Sequence, residues 1–158
     1  DDIRWGNLNQ PDVAVDPESR RNLLFVKQAY MRLAQSLVNR NQNDSAIAVL
    51  DRCQEFFPNE KVPYDMYMMA YPEIYYQAGA MEKGDELINT IIDNCLDNLR
   101  YFESLDSRFI PYYAETIREN LAMINEMSNV AKRNKRNELN LRLDNMLEQE
   151  FNKFYDLF

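Results

Sequence analysis

The sequence predicts an all-α fold of antiparallel helical repeats, with about six helices and an atypical capping helix pair at the C-terminal end. Three observations predict it. Glycine and proline are sparse, three and six in 158 residues, which favours long helices over many short strands. Apolar residues recur at helical spacing along most of the chain. A spaced set of large and small residues between positions 30 and 58 returns in weaker form farther along. The hydrophobic fraction of 46% and aromatic fraction of 12% supply a core and exclude a disordered chain.

The elements follow in order. Residues 1–16 are polar and turn-rich, so an irregular N-terminal arm is expected there, with Trp5 anchoring it to the body. A single helical-repeat domain is expected over 17–158. The first helix should open at Asp16-Pro17-Glu18, with Asp16 as cap and proline at the first helical position. Its apolar stripe is Leu23, Val26, Tyr30, Leu33 and Leu37, and it should end near Arg40. The second helix should run from about Ser45 to Phe57, capped by Asn43 or Asp44 and closed by Pro58. The third should cover about Tyr64 to Ala78, with a kink at Pro72 and an end at Gly79. The fourth, about Lys83 to Phe102, carries Leu87, Ile88, Ile91, Ile92, Cys95, Leu96 and Leu99. After a break at 104–108, the fifth should run to about Lys132 with Pro111 in its first turn and the stripe Tyr113, Ile117, Leu121, Ile124, Met127 and Ala131. The sixth carries Leu139, Leu143, Met146, Leu147, Phe151, Phe154 and Phe158.

The repeated set is specific. It reads Tyr30-x2-Leu33-Ala34-x2-Leu37, then Ala46-x3-Leu50, then Cys53 and Pro58. This is the tetratricopeptide pattern, in which small residues, here Ala34 and Ala46, let two helices cross closely while large ones interlock around them. The second copy reads Met68-x2-Tyr71-Pro72-x2-Tyr75, then Gly84-x3-Ile88. Leu37 to Ala46 and Tyr75 to Gly84 are both nine residues, and the offset between copies is 38 rather than the usual ~34. Repeat one thus spans about 17–58 and repeat two about 63–103. The pair at about 109–158 lacks the signature and suits an array end.

The net charge of −8 argues against nucleic acid as a partner, because that needs a basic footprint. No run of about 18 apolar residues is present to span a membrane. With no histidine and no CxxC pair, no metal or other cofactor is expected. Cys53 and Cys95 read as small buried hydrophobes, with a disulfide between them left open. No catalytic residue is assigned. The carboxylates Asp93 with Asp97, and Glu82 with Asp85 and Glu86, sit among polar residues at helical spacing, where a solvated face is the default. The chain opens at Asp1 without an initiator methionine or signal peptide, and is expected to be a segment of a longer polypeptide.

Helical repeats of this kind present a concave surface, so a protein or peptide segment is the expected partner. On the first helix the concave positions are Gln28, Met31, Gln35 and Asn39; on the third they are Met66, Met69, Glu73, Tyr76 and Gln77. Methionine adapts to varied partners, and tyrosine gives contact area at low entropic cost. The competing reading is that other parts of the chain fill this groove. The basic cluster Lys132, Arg133, Lys135, Arg136 and Arg142 either complements the C-terminus of the fifth helix or touches lipid head groups or an acidic partner.

Several runs also carry a family likeness: Ile3-Arg4-Trp5-Gly6, the stretch Asp16 to Asn22, Arg32-Leu33-Ala34 through Ala46-x3-Leu50-Asp51-x-Cys53, Pro58, Val62-Pro63-Tyr64-Asp65, and Tyr75-Tyr76-x-Ala78-Gly79-Ala80. Together they resemble the C-terminal soluble region of a Gram-negative bacterial family of large membrane proteins. The N-terminal part of that family, formerly of unknown function, is a multi-helix membrane domain similar to protein O-mannosyltransferases. The likeness covers nearly the whole chain and is densest over residues 1–80. It implies a non-catalytic interaction or accessory module on the periplasmic face of the inner membrane, behind a glycosyltransferase-like domain that is itself a candidate partner. Two alternatives stand beside it. One is direct participation in glycosyl transfer, with Tyr75 and Tyr76 stacking on glycan or lipid-linked donor. The other is a stand-alone soluble adaptor.

Overall fold

The computed structural model describes residues 13–157, and of residues 17 and 19–21 the backbone alone. The irregular arm and its Trp5 anchor therefore lie outside the described residues, apart from 13–16, as does Phe158. Among the described residues there are six α-helices and no strand: α1 (Pro17–Val38), α2 (Asn43–Phe56), α3 (Tyr71–Gln77), α4 (Met81–Glu103), α5 (Ala114–Arg133) and α6 (Asn137–Lys153). The all-α expectation holds. The chain divides into two compact units, one ending at Gly84 and the other Asp85–Phe158, with the division inside α4.

In the first unit α1 and α2 pack around Ala34 and Ala46, both fully buried, with Leu50 and Cys53 equally buried beside them. The two small residues that the spacing assigns to the helix crossing are thus both in the core. Their neighbour Leu33 is half exposed, at 51%. The inward line of α1 runs through Leu23, Lys27 and Ala34, all buried. A charged residue thus occupies a position on the apolar face.

The third helix departs most from expectation. Instead of one kinked helix over 64–78, a 3₁₀ turn at Met66–Met68 precedes a seven-residue α3. The Asp65 carboxylate accepts the Tyr67 amide at 3.1 Å and shapes the turn. Pro72 falls in the first turn of α3, where its missing N–H and fixed φ cost nothing. The chain starts a helix at the proline instead of bending one around it. The same happens at Pro111, which lies in a 3₁₀ turn (Ile110–Tyr113) ahead of α5. Tyr113 therefore leaves the expected buried stripe and is 38% exposed.

In the second unit the α4 stripe is buried from Leu87 to Leu99 at every expected position. On α5, Ile117, Leu121, Ile124, Met127 and Ala131 are buried. α6 buries Leu143 completely, Leu139, Met146, Leu147 and Phe151 are half buried, Leu141 is exposed, and Phe154, just past the helix end, is buried. A polar pin joins α5 to α6: Asn140 Nδ2 donates to Ser128 Oγ at 2.7 Å and to Asp144 Oδ2 at 3.1 Å.

One turn is used three times. After α1, Asn41 takes φ 59°, its amide donates to the Val38 carbonyl and the Gln42 amide donates to Leu37. After α3, Gly79 takes φ 87°, with amide bonds from Gly79 to Tyr76 and from Ala80 to Tyr75. After α5, Lys135 takes φ 59°, with amide bonds from Lys135 to Lys132 and from Arg136 to Ala131. Each is a Schellman cap, in which one left-handed residue lets two amides satisfy the open carbonyls of the last turn. The next helix begins two residues after the left-handed residue in all three. This explains a correction at α2. Asn43 and Asp44 already lie inside the helix, so Gln42 holds the cap position and no side chain caps it.

Candidate functional site

The expected concave residues fall in the first unit. Between α1 and the start of α3 lies a shallow groove of about 460 Å³, lined by Met31, Gln35 and Asn39 from one side and by Ala70 and Ile74 from the other. Met31 and Gln35 are half exposed and Asn39 exposed, while Ile74 is buried and forms an apolar floor. The Gln35 amide donates to Asn39 Oδ1 at 3.2 Å and to Gln77 Oε1 at 2.9 Å, which ties α1 to the end of α3. Three expected α1 positions and Gln77 thus come together. Gln28, Met69 and Glu73 are half buried and Met66 is exposed at 48%, but none of these four lines the groove. Arg32 and Ser36, which sequence spacing did not single out, do line it.

Tyr76 is placed otherwise. It is buried at 3% exposure, and its ring lies over Gly84. A Cβ on Gly84 would overlap the ring, so the glycine is the recess that admits it. Tyr75 is buried too, and its hydroxyl donates to Asp51 Oδ1 at 2.8 Å and accepts from Gln54 Nε2 at 2.6 Å. Neither ring offers a face to a sugar, which removes the stacking surface expected of them.

The same unit holds a buried polar cluster that the pattern does not mark. Tyr71 Oη donates to the Lys27 carbonyl at 2.7 Å and lies 3.2 Å from Cys53 Sγ. Among the described residues Lys27 Nζ reaches the Val62 carbonyl, at 3.5 Å, and sits 5.6 Å from the Tyr64 ring centre. Burial lowers the Lys27 pKa, opposed by the charges of Asp65 and Cys53. Burial pushes the Cys53 thiol up to about 11, although the Tyr71 hydrogen bond pulls the other way. A buried, protonated thiol is not a nucleophile at neutral pH. Cys95 is likewise a free buried thiol, pushed up to about 12 by burial.

The basic cluster lies in the second unit. Arg133 pairs with Glu126 at 3.0 Å on the surface of α5. Arg136 makes a forked ion pair with Asp85, its Nε 3.1 Å from both carboxylate oxygens. Arg142 Nη2 donates to the Asn89 side-chain oxygen Oδ1. Lys135, Arg136 and Arg142 face one cavity of about 620 Å³. Of the carboxylates considered for catalysis, Asp85 lines this cavity, Asp97 pairs with Arg100 at 2.9 Å, and Glu82, Glu86 and Asp93 are exposed.

Among the described residues no group of three or more potential metal ligands comes together, and no helix is long and apolar enough to cross a membrane. Compared with known proteins, the chain matches no family model, no curated protein and no solved structure.

Proposed function

We propose that the chain is a non-catalytic interaction module of the tetratricopeptide type, which holds a polypeptide segment in the groove between α1 and α3. One observation carries this reading: a surface recess with an apolar floor at Ile74 and a rim of Met31, Gln35 and Asn39. The rim offers amide hydrogen bonds and adaptable apolar contact, the combination that suits a peptide. The buried polar cluster of the same unit serves stability, since its thiol and phenols are held protonated by burial.

The wider setting we propose rests on the sequence resemblance. In it the chain is the periplasmic C-terminal region of a membrane glycosyltransferase-like protein, and the groove takes a segment of that same polypeptide or of an acceptor protein. Two experiments test the two layers. A photo-crosslinking residue at Gln35 should give one defined polypeptide adduct in cells, lost on Met31→Glu, whereas one at Arg100 should not. Equal labelling from both positions, or none from Gln35, overturns the groove reading. Alkali-washed membranes probed with an antibody to this chain should retain a band much larger than 18.8 kDa. A soluble band of that mass overturns the membrane setting and leaves a free adaptor.

A further inference from the structure

The cavity at the start of α6 binds no part of the groove's argument and has its own chemistry. In a chain of net charge −8, three cations converge on it: Lys135, Arg136 and Arg142. Their state of compensation differs. Arg136 is neutralised by Asp85. Arg142 has a neutral partner, the Asn89 amide oxygen. Among the described residues neither Arg142 nor Lys135 forms an ion pair with a carboxylate. The Asn89 contact fixes where the Arg142 guanidinium sits without cancelling its charge. The remaining acid on the cavity wall is Glu138.

Two further features aim at the same space. The first residues of the 17-residue α6, Asn137, Glu138 and Leu139, line the cavity, and no side chain caps that helix. Its open amides add donors and the positive end of the helix dipole. In addition, Lys135 holds the left-handed position that Asn41 and Gly79 hold in the other two turns. A lysine there costs backbone energy that asparagine or glycine would spare. That cost places an ammonium at the mouth of the cavity.

We infer that this cavity is a binding site for a phosphate oxyanion, held by Arg142, Lys135 and the first-turn amides of α6. Donors arriving from a guanidinium, an ammonium and a helix end surround an ion from several sides, which suits a tetrahedral dianion better than a planar carboxylate. Asp85 keeps Arg136 oriented as the back wall, and Glu138 is an internal competitor for the same cations. The phosphate belongs to a soluble metabolite or to a lipid head group, and the test separates these.

The full chain is titrated with inorganic phosphate at constant ionic strength, followed by amide chemical shifts of 135–142. Arg142→Gln and Lys135→Gln each weaken binding about tenfold, the scale of a lost hydrogen bond to a charged group. Glu138→Gln tightens it, a gain that no folding defect can imitate. Arg100→Gln, an exposed cation elsewhere on α4, leaves it unchanged. In a second arm the chain is spun with vesicles of phosphatidylglycerol or of phosphatidylcholine. Sedimentation with the first only, abolished by Arg142→Gln, assigns the phosphate to a lipid head group; phosphate binding without sedimentation assigns it to a soluble ligand. Absence of both, or equal weakening by Arg100→Gln, overturns the site.

Discussion

The two units solve the same packing problem with different materials. The core of the first is threaded with polar groups: Tyr64, Tyr71, Tyr75, Tyr76, Cys53 and the buried Lys27. The core of the second is mostly aliphatic, with Leu, Ile, Met and Val from α4 and α5, and among the described residues Asn120, Ser128 and the Cys95 thiol are its buried polar groups. The helices they use explain the contrast. α4 and α5 have 23 and 20 residues, so many interlocking side chains fix their register. α3 has seven, too few turns to be stable by itself. It is held by directional bonds from its own tyrosines, Tyr71 to the α1 backbone and Tyr75 to Asp51 of α2. Where a helix is short, hydrogen bonds supply the specificity that length supplies elsewhere.

Substitutions can break this comparison, and urea unfolding of the full chain reads each one. Tyr71→Ala removes both ring and hydroxyl from a fully buried site and should destabilise by about 3–5 kcal/mol. Ile124→Ala, its aliphatic counterpart in the second unit, should lose about 2–5 kcal/mol. The sharper member of the set is Tyr71→Phe, which keeps the ring and leaves the Lys27 carbonyl without its donor. It should lose about 1–3 kcal/mol, and a value near zero would remove directional bonding as the reason α3 is held. Gly84→Ala should lose a similar ~1–3 kcal/mol by forcing the Tyr76 ring aside.

Lys27 gives a pH test. Burial lowers its pKa below the ordinary 10.5, so between the lowered value and 10.5 the unfolded chain binds more protons than the folded one. Stability contributed by this group therefore rises with pH across that window, and its burial penalty is complete below it. Lys27→Met should be more stable than wild type by about 1 kcal/mol at neutral pH, the low end for replacing a buried charge by apolar volume. The advantage should shrink as pH climbs toward 10.5. Cys53, raised to about 11, and the buried tyrosines act with the opposite sign above pH ~9, which is why the difference between the two proteins is the quantity to follow. The smallest effect is expected at the third turn. Lys135→Gly should stabilise by about 0.4–1 kcal/mol by relieving the left-handed residue.

Much of this was legible in the sequence, for reasons that also mark where legibility ended. The α4 stripe and the burial of Ala34 and Ala46 follow from spacing alone, since long helices obey their period. Lys27 was invisible because a lysine on an apolar face reads as an interruption; its i+7 relation to Ala34 was the available signal. Leu33 and Tyr76 were assigned by pattern to the wrong environments. Leu33 sits one position around the helix from the buried Ala34, and Tyr76 depends on a recess that only Gly84 creates. The periodicity overextends α3, because a proline within an apolar period signals a kink, whereas Pro72 stands at the beginning of the helix. Of the concave residues, Met31, Gln35, Asn39 and Gln77 meet, while Met66 lies in the 3₁₀ turn and does not line the groove. The third repeat of the turn has no sequence mark, because its left-handed residue is Lys135, a residue type that does not signal that conformation.

The turn shared by Asn41, Gly79 and Lys135 has a consequence for how the chain acquires its shape. Each closes on carbonyls only three to five residues back, so each is complete before any distant segment is needed. Hairpins closed by local contacts form in microseconds to milliseconds. A polypeptide emerging in order can set α1 against α2 while the residues of α5 are still unmade, and the distance between turns is free to drift, 38 residues in one interval and 56 in the next, without disturbing the closure of any.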